Sequence, residues 1–238
     1  MSLIDVNNLP VHIGIIMDGN GRWAKSQGME RISGHIQGVE TVKTIVEYCV
    51  KLKIPYLTLY TFSKENWNRP RKEIDGLMSL LSSSLKSELE KLNRNNIVFQ
   101  VVGKIEEMPS SLQGLIMDTI NSTKDNTGLT LALALSYSGR QEIIDATNKI
   151  LAAHKKNINE NTFKNYLYSP NTPDPDLIIR TGGENRLSNF LLWQSAYSEI
   201  YISEKNWPEF EEDDLTSALN DFSNRTRKYG RVLEENEI

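Results

Sequence analysis

Apolar residues fall along this chain in two alternating rhythms, short near-continuous runs and longer stretches spaced by three and four. Val11 to Met17 is a near-continuous run and predicts a short buried strand. Val42, Ile45, Val46, Cys49 and Val50 then repeat at helical spacing until Pro55 breaks the pattern. Tyr56 to Phe62 is rich in β formers. Ile74, Leu77, Met78, Leu81, Leu85, Leu89 and Leu92 make the longest helical stripe. Ile97 to Val102 predicts a strand, Ser111 to about Lys124 a helix, and Leu129 to Leu135 a strand. Ile143, Ile144, Thr147, Ile150 and Leu151 mark another helix. Leu177 to Ile179 and Ile200 to Ile202 read as short strands, and Asp213 to Lys228 as a polar terminal helix.

Strands separated by helices predict an α/β fold with a mainly parallel central sheet of about six strands flanked by helices. With no repeat or long linker, residues 1–238 read as a single domain whose core runs from about 9 to 230. In such sheets, ligands sit beyond the carboxyl ends of the strands. Composition narrows the chemistry. One cysteine, Cys49, excludes an internal disulfide framework and a Cys-rich zinc site. A net charge of −4 gives no electrostatic case for nucleic acid. No apolar run reaches the roughly 18 residues of a membrane helix. Met1 to Leu9 lacks the basic and apolar segments of a secretory leader, so a cytoplasmic location is expected.

The strand ends carry the candidate chemistry. After Met17 stands Asp18-Gly19-Asn20-Gly21-Arg22-Trp23. This is either a hairpin turn or a strand-to-helix loop whose glycines let amides approach an anion. In the second reading Asp18 is a metal ligand beside phosphate. After Phe62 comes the polar stretch Ser63 to Pro70, in which Trp67 also reads as a cap on the core. After Ile179, Arg180 to Ser188 places two arginines and a serine around Gly182-Gly183. That is a solvated turn or a diphosphate clamp. His35 stands near a helix start, in reach of the first loop.

Taken together, HIGIIMDGNGRWA from His12, LTLYTFSKENWNRP from Leu57 and DLIIRTGGENRLSNFLLWQSAYSE from Asp176 closely resemble the cis-prenyltransferase (isoprenyl transferase) family, in particular its undecaprenyl diphosphate synthase branch. The resemblance implies a homodimer with a long hydrophobic tunnel. It implies Mg²⁺-dependent condensation of farnesyl diphosphate with isopentenyl diphosphate to a long cis-polyprenyl diphosphate, a precursor of the cell-wall lipid carrier. The product would partition to the membrane, so peripheral contact with its inner face is expected as well.

Residue by residue, the resemblance assigns Asp18 to catalysis and Mg²⁺, with Asn66 as a second catalytic residue. Gly19, Asn20, Gly21, Arg22, Trp23, Arg31, His35, Ser63 and Trp67 match the allylic diphosphate site. Arg69, Arg180, Arg186 and Ser188 match the isopentenyl diphosphate site. Glu199 matches a second carboxylate for the metal, Phe62 and Glu73 match loop-closure residues, and Ile97 and Leu129 match the tunnel floor. The chain departs from the family at Ser138-Gly139-Arg140, usually Gly-Gly-Arg, and at Lys228-Tyr229-Gly230, usually Arg-x-Gly.

In the reaction that the resemblance implies, ionising an allylic diphosphate yields a carbocation and a departing anion. A metal and helix-start amides stabilise that anion, and shielding the cation from water favours a closing segment, here Ser63 to Lys72. A non-catalytic partner subunit of the same fold is the rival reading, and Asp18 with both arginine sites argues against it. A shorter-chain enzyme is the second rival, which the motifs leave open, and a generic nucleotide-binding α/β protein is a distant third, as no ribose- or base-recognition motif is evident.

Overall fold

A computed structural model of the chain describes residues 8–227. The strands are β1 (His12–Ile16), β2 (Tyr56–Ser63), β3 (Val98–Gly103), β4 (Thr130–Tyr137), β5 (Leu177–Arg180) and β6 (Glu199–Ile202). They form one parallel sheet in the order β3-β4-β2-β1-β5-β6. The helices are α1 (Asn20–Ser26), α2 (Arg31–Lys51), α3 (Arg71–Arg94), α4 (Ser110–Thr123), α5 (Gly139–Ala152), α6 (Glu160–Lys164) and α7 (Glu212–Ser223).

The strands pair in parallel because each connection carries a crossover segment, and β1 is buried along its whole length, as a doubly covered parallel strand must be. The chain leaves β1 for β2 on one side and later returns to lay β5 on the other. Such a reversal opens a crevice at the carboxyl ends of β1 and β5. Helices α1 and α2 cross closely at Gly34, where a Cβ would stand 2.0 Å from the Asn20 carbonyl oxygen.

Helix α3 faces two ways. Ile74, Met78, Leu85 and Leu92 are buried in the main core. Leu77, Leu80, Leu81 and Ser84 are turned to a cavity instead. One long stripe thus serves both packing and a wall.

Several boundaries differ from the sequence reading. Helix α2 begins at Arg31, well before the first apolar position of its stripe at Val42, which puts Arg31 and His35 on its first turns. β4 runs past Leu135 to Tyr137. The terminal helix stops at Ser223 rather than Lys228. Beyond it, Arg225 pairs with Glu199 and Asp221, and Arg227 with Asp176, and these bonds draw the chain off the helix path. Lys228-Tyr229-Gly230 lies outside the described residues.

Candidate active site

A cavity of about 1150 Å³ opens at the carboxyl ends of β1, β2 and β5. Its mouth is polar and its interior apolar, and the backbone explains both.

β1 ends at Ile16, and Gly19 turns the chain into α1 with φ +105°. A Cβ there would meet Asn206 Oδ1 at 2.5 Å, so the position requires glycine. The turn aims the Asp18 carboxylate at the mouth. Its Oδ1 accepts from the Gly19 amide at 2.7 Å and its Oδ2 from Arg180 Nη2 at 2.8 Å. Burial raises the Asp18 pKa, but Arg180, the Gly19 amide and Arg22 outweigh it and leave the carboxyl below its ordinary value. The Asp18 carbonyl is fixed from behind by the Trp207 amide at 2.9 Å and Thr181 Oγ1 at 2.7 Å. Trp207 also donates from its indole to the Gly38 carbonyl at 2.8 Å, tying this loop to α2.

Arg180, 4% exposed, ends β5. Besides Asp18, it donates to Ser188 Oγ at 2.7 Å and to the Arg186 carbonyl. On the opposite wall, Glu73 of α3 receives Arg69 at 3.1 Å and Arg31 at 3.3 Å. His35 Nε2 stands 3.9 Å from the same carboxylate. Burial, Arg69 and Arg31 push the His35 pKa down to about 4 against the pull of Glu73, so the ring is neutral at pH 7. Ser63 and Asn66 complete the rim in a 3₁₀ turn, Lys64–Asn68, closed by a reciprocal cap between them. Buried Asn20 Oδ1, His35 Nε2 and Arg180 Nε have no hydrogen-bond partner, and all three residues line the cavity.

Inward, the wall is apolar: Val39 and Val42 of α2, Leu77 and Leu81 of α3, Leu59 and Leu133 of the sheet. Ser84 is the last α3 residue on it. From Glu73 to Ser84 is about 16 Å of helix at 1.5 Å per residue. This is a charged mouth leading to a hydrocarbon-lined interior.

A family model described as putative undecaprenyl diphosphate synthase matches residues 16–230. The chain belongs to that family. It is 48% identical over 235 residues to the isoprenyl transferase of Clostridium tetani, covering 96% of this chain and 92% of the relative. It is 48% identical over 232 residues to that of Clostridium perfringens, covering 95% and 92%. Among solved structures, lavandulyl diphosphate synthase from Lavandula x intermedia, in complex with dimethylallyl diphosphate, superposes with a TM-score of 0.91 at 36% identity, covering 94% of this chain and all of that one. A probable undecaprenyl diphosphate synthase from Campylobacter jejuni gives 0.80 at 33% identity, covering 97% and 100%. The chain is thus an isoprenyl transferase of the undecaprenyl diphosphate synthase family, and the parallel six-stranded fold is the family's.

The isoprenyl transferase fold gathers most of the expected site residues around one cavity. Asp18, Gly19, Asn20, Gly21, Arg31, His35, Ser63, Asn66, Arg69, Arg180 and Ser188 all line it. Others stand back. Arg22 donates to the Gly182 carbonyl at 2.6 Å, and Arg186 pairs with Glu184. Trp23 is not on the wall. Phe62 and Trp67 meet edge to face at 4.9 Å behind the rim. Glu73 belongs to α3 rather than to a loop, and Ser63 to Lys72 is a capped 3₁₀ turn running into that helix.

Three further residues stand away from the cavity within the chain. Glu199 begins β6 level with Leu177, at the other end of the strands from Asp18, and pairs with Arg225 at 2.8 Å. Within one chain it therefore does not stand beside Asp18. Ile97 and Leu129 do not line the cavity either; both are packed in the core below it. Among the described residues no group of three or more His, Cys, Asp or Glu is gathered for a metal, and no helix is long and apolar enough to cross a membrane.

Sequence reasoning missed Trp207, Tyr60, Asn189 and Arg140, all of which line the cavity. Arg140 follows the β4 end, where the strand-end rule finds it. The others owe their places to contacts made far along the chain.

Proposed function

We propose that this isoprenyl transferase condenses isopentenyl diphosphate, with cis geometry, onto an allylic diphosphate such as farnesyl diphosphate, giving a long polyprenyl diphosphate. The observation that carries the reading is one cavity with a cationic mouth and an apolar interior, which matches a molecule with a diphosphate head and a hydrocarbon tail. The allylic diphosphate is assigned to the Asp18–Gly21 loop and Arg31, where the α1 amides and a cation face it. Neutral His35 offers one N–H donor. The isopentenyl diphosphate is assigned to Arg69, Arg180 and Ser188. The growing tail runs inward between α2 and α3.

Mg²⁺ fits this donor set as a substrate-borne ion. It is commonly held by one or two carboxylates together with substrate phosphates, and Asp18 is the one charged carboxylate of the loop. When bound there with the diphosphate, it would neutralise charge on the leaving group. Asp18 would hold it, Arg180 keeps Asp18 below its ordinary pKa and aimed, and the apolar wall would exclude water from the allylic carbocation.

A homodimer and a role in making the cell-wall lipid carrier belong to the same proposal. Ile144 and Leu151 on α5 and Ile200 on the edge strand β6 leave apolar side chains exposed, which suits a second copy. Because the apolar wall stops at Ser84 on α3, a shorter product is the second reading. Incubation with farnesyl and isopentenyl diphosphates and Mg²⁺, followed by sizing of the products, tests both. Failure to consume isopentenyl diphosphate overturns the proposal, and a product only one or a few units longer than the starter selects the second reading.

A further inference from the structure

Ser136 lies in β4, 1% exposed, with φ +44°. That is the left-handed region, which serine enters reluctantly and which a central strand does not call for. The ladder shows why it is there. Tyr60 faces Ala134, Phe62 faces Leu135 and Ser63 faces Tyr137, so Thr61 on β2 and Ser136 on β4 are both left out of register. Paired irregularities of this kind re-aim side chains beside a site.

The re-aimed hydroxyl is fully used. Ser136 Oγ accepts from Trp67 Nε1 at 2.8 Å and donates to the Glu107 carboxylate. Glu107 in turn receives Lys64 Nζ at 3.2 Å. Burial raises the Glu107 pKa, but Ser136 and Lys64 outweigh it, so the acceptor is charged. Lys64 and Trp67 stand on either side of Asn66 in the 3₁₀ turn. Both flanks of that turn are therefore fastened to β4 through one buried serine.

We propose that Ser136 is a positioning residue for prenyl transfer: its hydroxyl, clamped between Trp67 and Glu107, fixes the Lys64–Asn68 turn and thereby holds Ser63 and Asn66 against the substrates. The inference rests on the reading of this cavity as the prenyl-transfer site. A residue that merely packs the core would affect melting and leave turnover per folded molecule alone.

Ser136→Gly and Ser136→Asn separate the two roles. Glycine relieves the left-handed backbone but removes the hydroxyl, whereas asparagine tolerates that backbone and restores an acceptor oxygen. In Ser136→Gly the melting temperature should hold or rise, and exchange of the Trp67 indole proton, followed by NMR, should speed about tenfold. kcat should fall about ten- to a hundredfold with the KM for the allylic diphosphate within about threefold. Ser136→Asn should recover kcat to within about threefold and restore indole protection. Adding Ser136→Gly to Trp67→Phe should cost little more than Trp67→Phe alone.

Wild-type kcat in a folded Ser136→Gly protein overturns the proposal, as does an equal loss in both variants or full additivity with Trp67→Phe. If Ser136→Gly does not fold, Glu107→Gln decides: an unchanged kcat overturns, and a several-fold loss at unchanged melting temperature supports. A wild-type chain that transfers no prenyl group defeats the functional reading instead. In that case the indole exchange still decides whether the clamp exists.

Discussion

The two ends of β1 and β5 carry the same chemistry arranged to opposite purposes. At the amino end, Asp176 accepts the Val11 and His12 amides at 2.9 and 3.2 Å and pairs with Arg227. The His12 ring nitrogens meet the Pro173 carbonyl at 2.7 Å and Thr58 Oγ1 at 2.8 Å. At the carboxyl end stand Asp18, Arg180 and His35, again an aspartate, an arginine and a histidine. Here Asn20, His35 and Arg180 each keep a buried polar atom without a partner. Burial drives both histidines down to about 4. A perturbed histidine therefore does not tell the ends apart. What separates them is saturation: one cluster has finished its hydrogen bonding within the chain, and the other faces a cavity with bonds left to make. Orphaned polar atoms are costly when buried, and they gather where a ligand would satisfy them.

The sharpest way to break this contrast is to remove each aspartate. Asp18→Ala should lower turnover per folded molecule by about a thousandfold or more, and because it also strips the Gly19 amide and buried Arg180 of an acceptor, melting should fall with it. Asp176→Ala should cost on the order of 2–4 kcal/mol of stability, since it strips two amides and a guanidinium of their acceptor, and leave activity per folded molecule intact. Assays at saturating Mg²⁺ beside urea melts would show it; an exchange of the two phenotypes would refute the assignment of ends.

Arg180→Ala comes next. The side chain touches Asp18 as well as Ser188, so the two proposed diphosphate sites would share it. A rise of about ten- to a hundredfold in KM is expected for both substrates rather than for isopentenyl diphosphate alone. Separate titrations of the two diphosphates would reveal an effect confined to one.

The histidines sharpen the comparison from the other side. Both are neutral above their unfolded pKa of about 6.5, so they add no pH dependence there. As pH falls below 6.5 the unfolded chain takes up protons that the fold refuses, and stability declines until the folded values near 4 are reached. Each histidine should contribute a loss of about 2 kcal/mol between pH 7 and pH 5. His12→Asn and His35→Asn should flatten urea midpoints over that range by similar amounts. In assays at pH 7, His35→Asn alone should slow the reaction.

The smallest effects concern the cavity's inner end. Ser84→Phe should shorten products with little change in the first condensation. Leu129→Ala should cost about 2–4 kcal/mol as a core truncation and leave product lengths as they are. Longer products from Leu129→Ala would restore that residue to the floor.

Much of this was legible from residue order. The strands show as apolar runs because both faces of a parallel sheet are covered, and Asp18, Asn66, Arg69 and Arg180 could be found because they follow strand ends. Trp207 could not, since its bond to Gly38 spans 169 positions and exists only once the loop that carries it has met α2. Ser136 was equally hidden: nothing in a serine between leucine and tyrosine announces a left-handed backbone. Glu199 shows the rule from the other side: it precedes the apolar run Ile200 to Ile202, and the parallel sheet accordingly puts it at the amino end, away from Asp18 of the same chain.

The carboxylate of Glu73, lodged between Arg31 and Arg69, makes the free protein its own first occupant. A phosphate arriving there meets a position already neutralised, so binding is an ion exchange rather than a simple capture. Part of the attraction is spent on evicting the resident carboxylate, and the same carboxylate is on hand to reclaim the arginines when a diphosphate leaves. For the proposed release of a polyprenyl diphosphate, such an internal competitor favours turnover over tight holding.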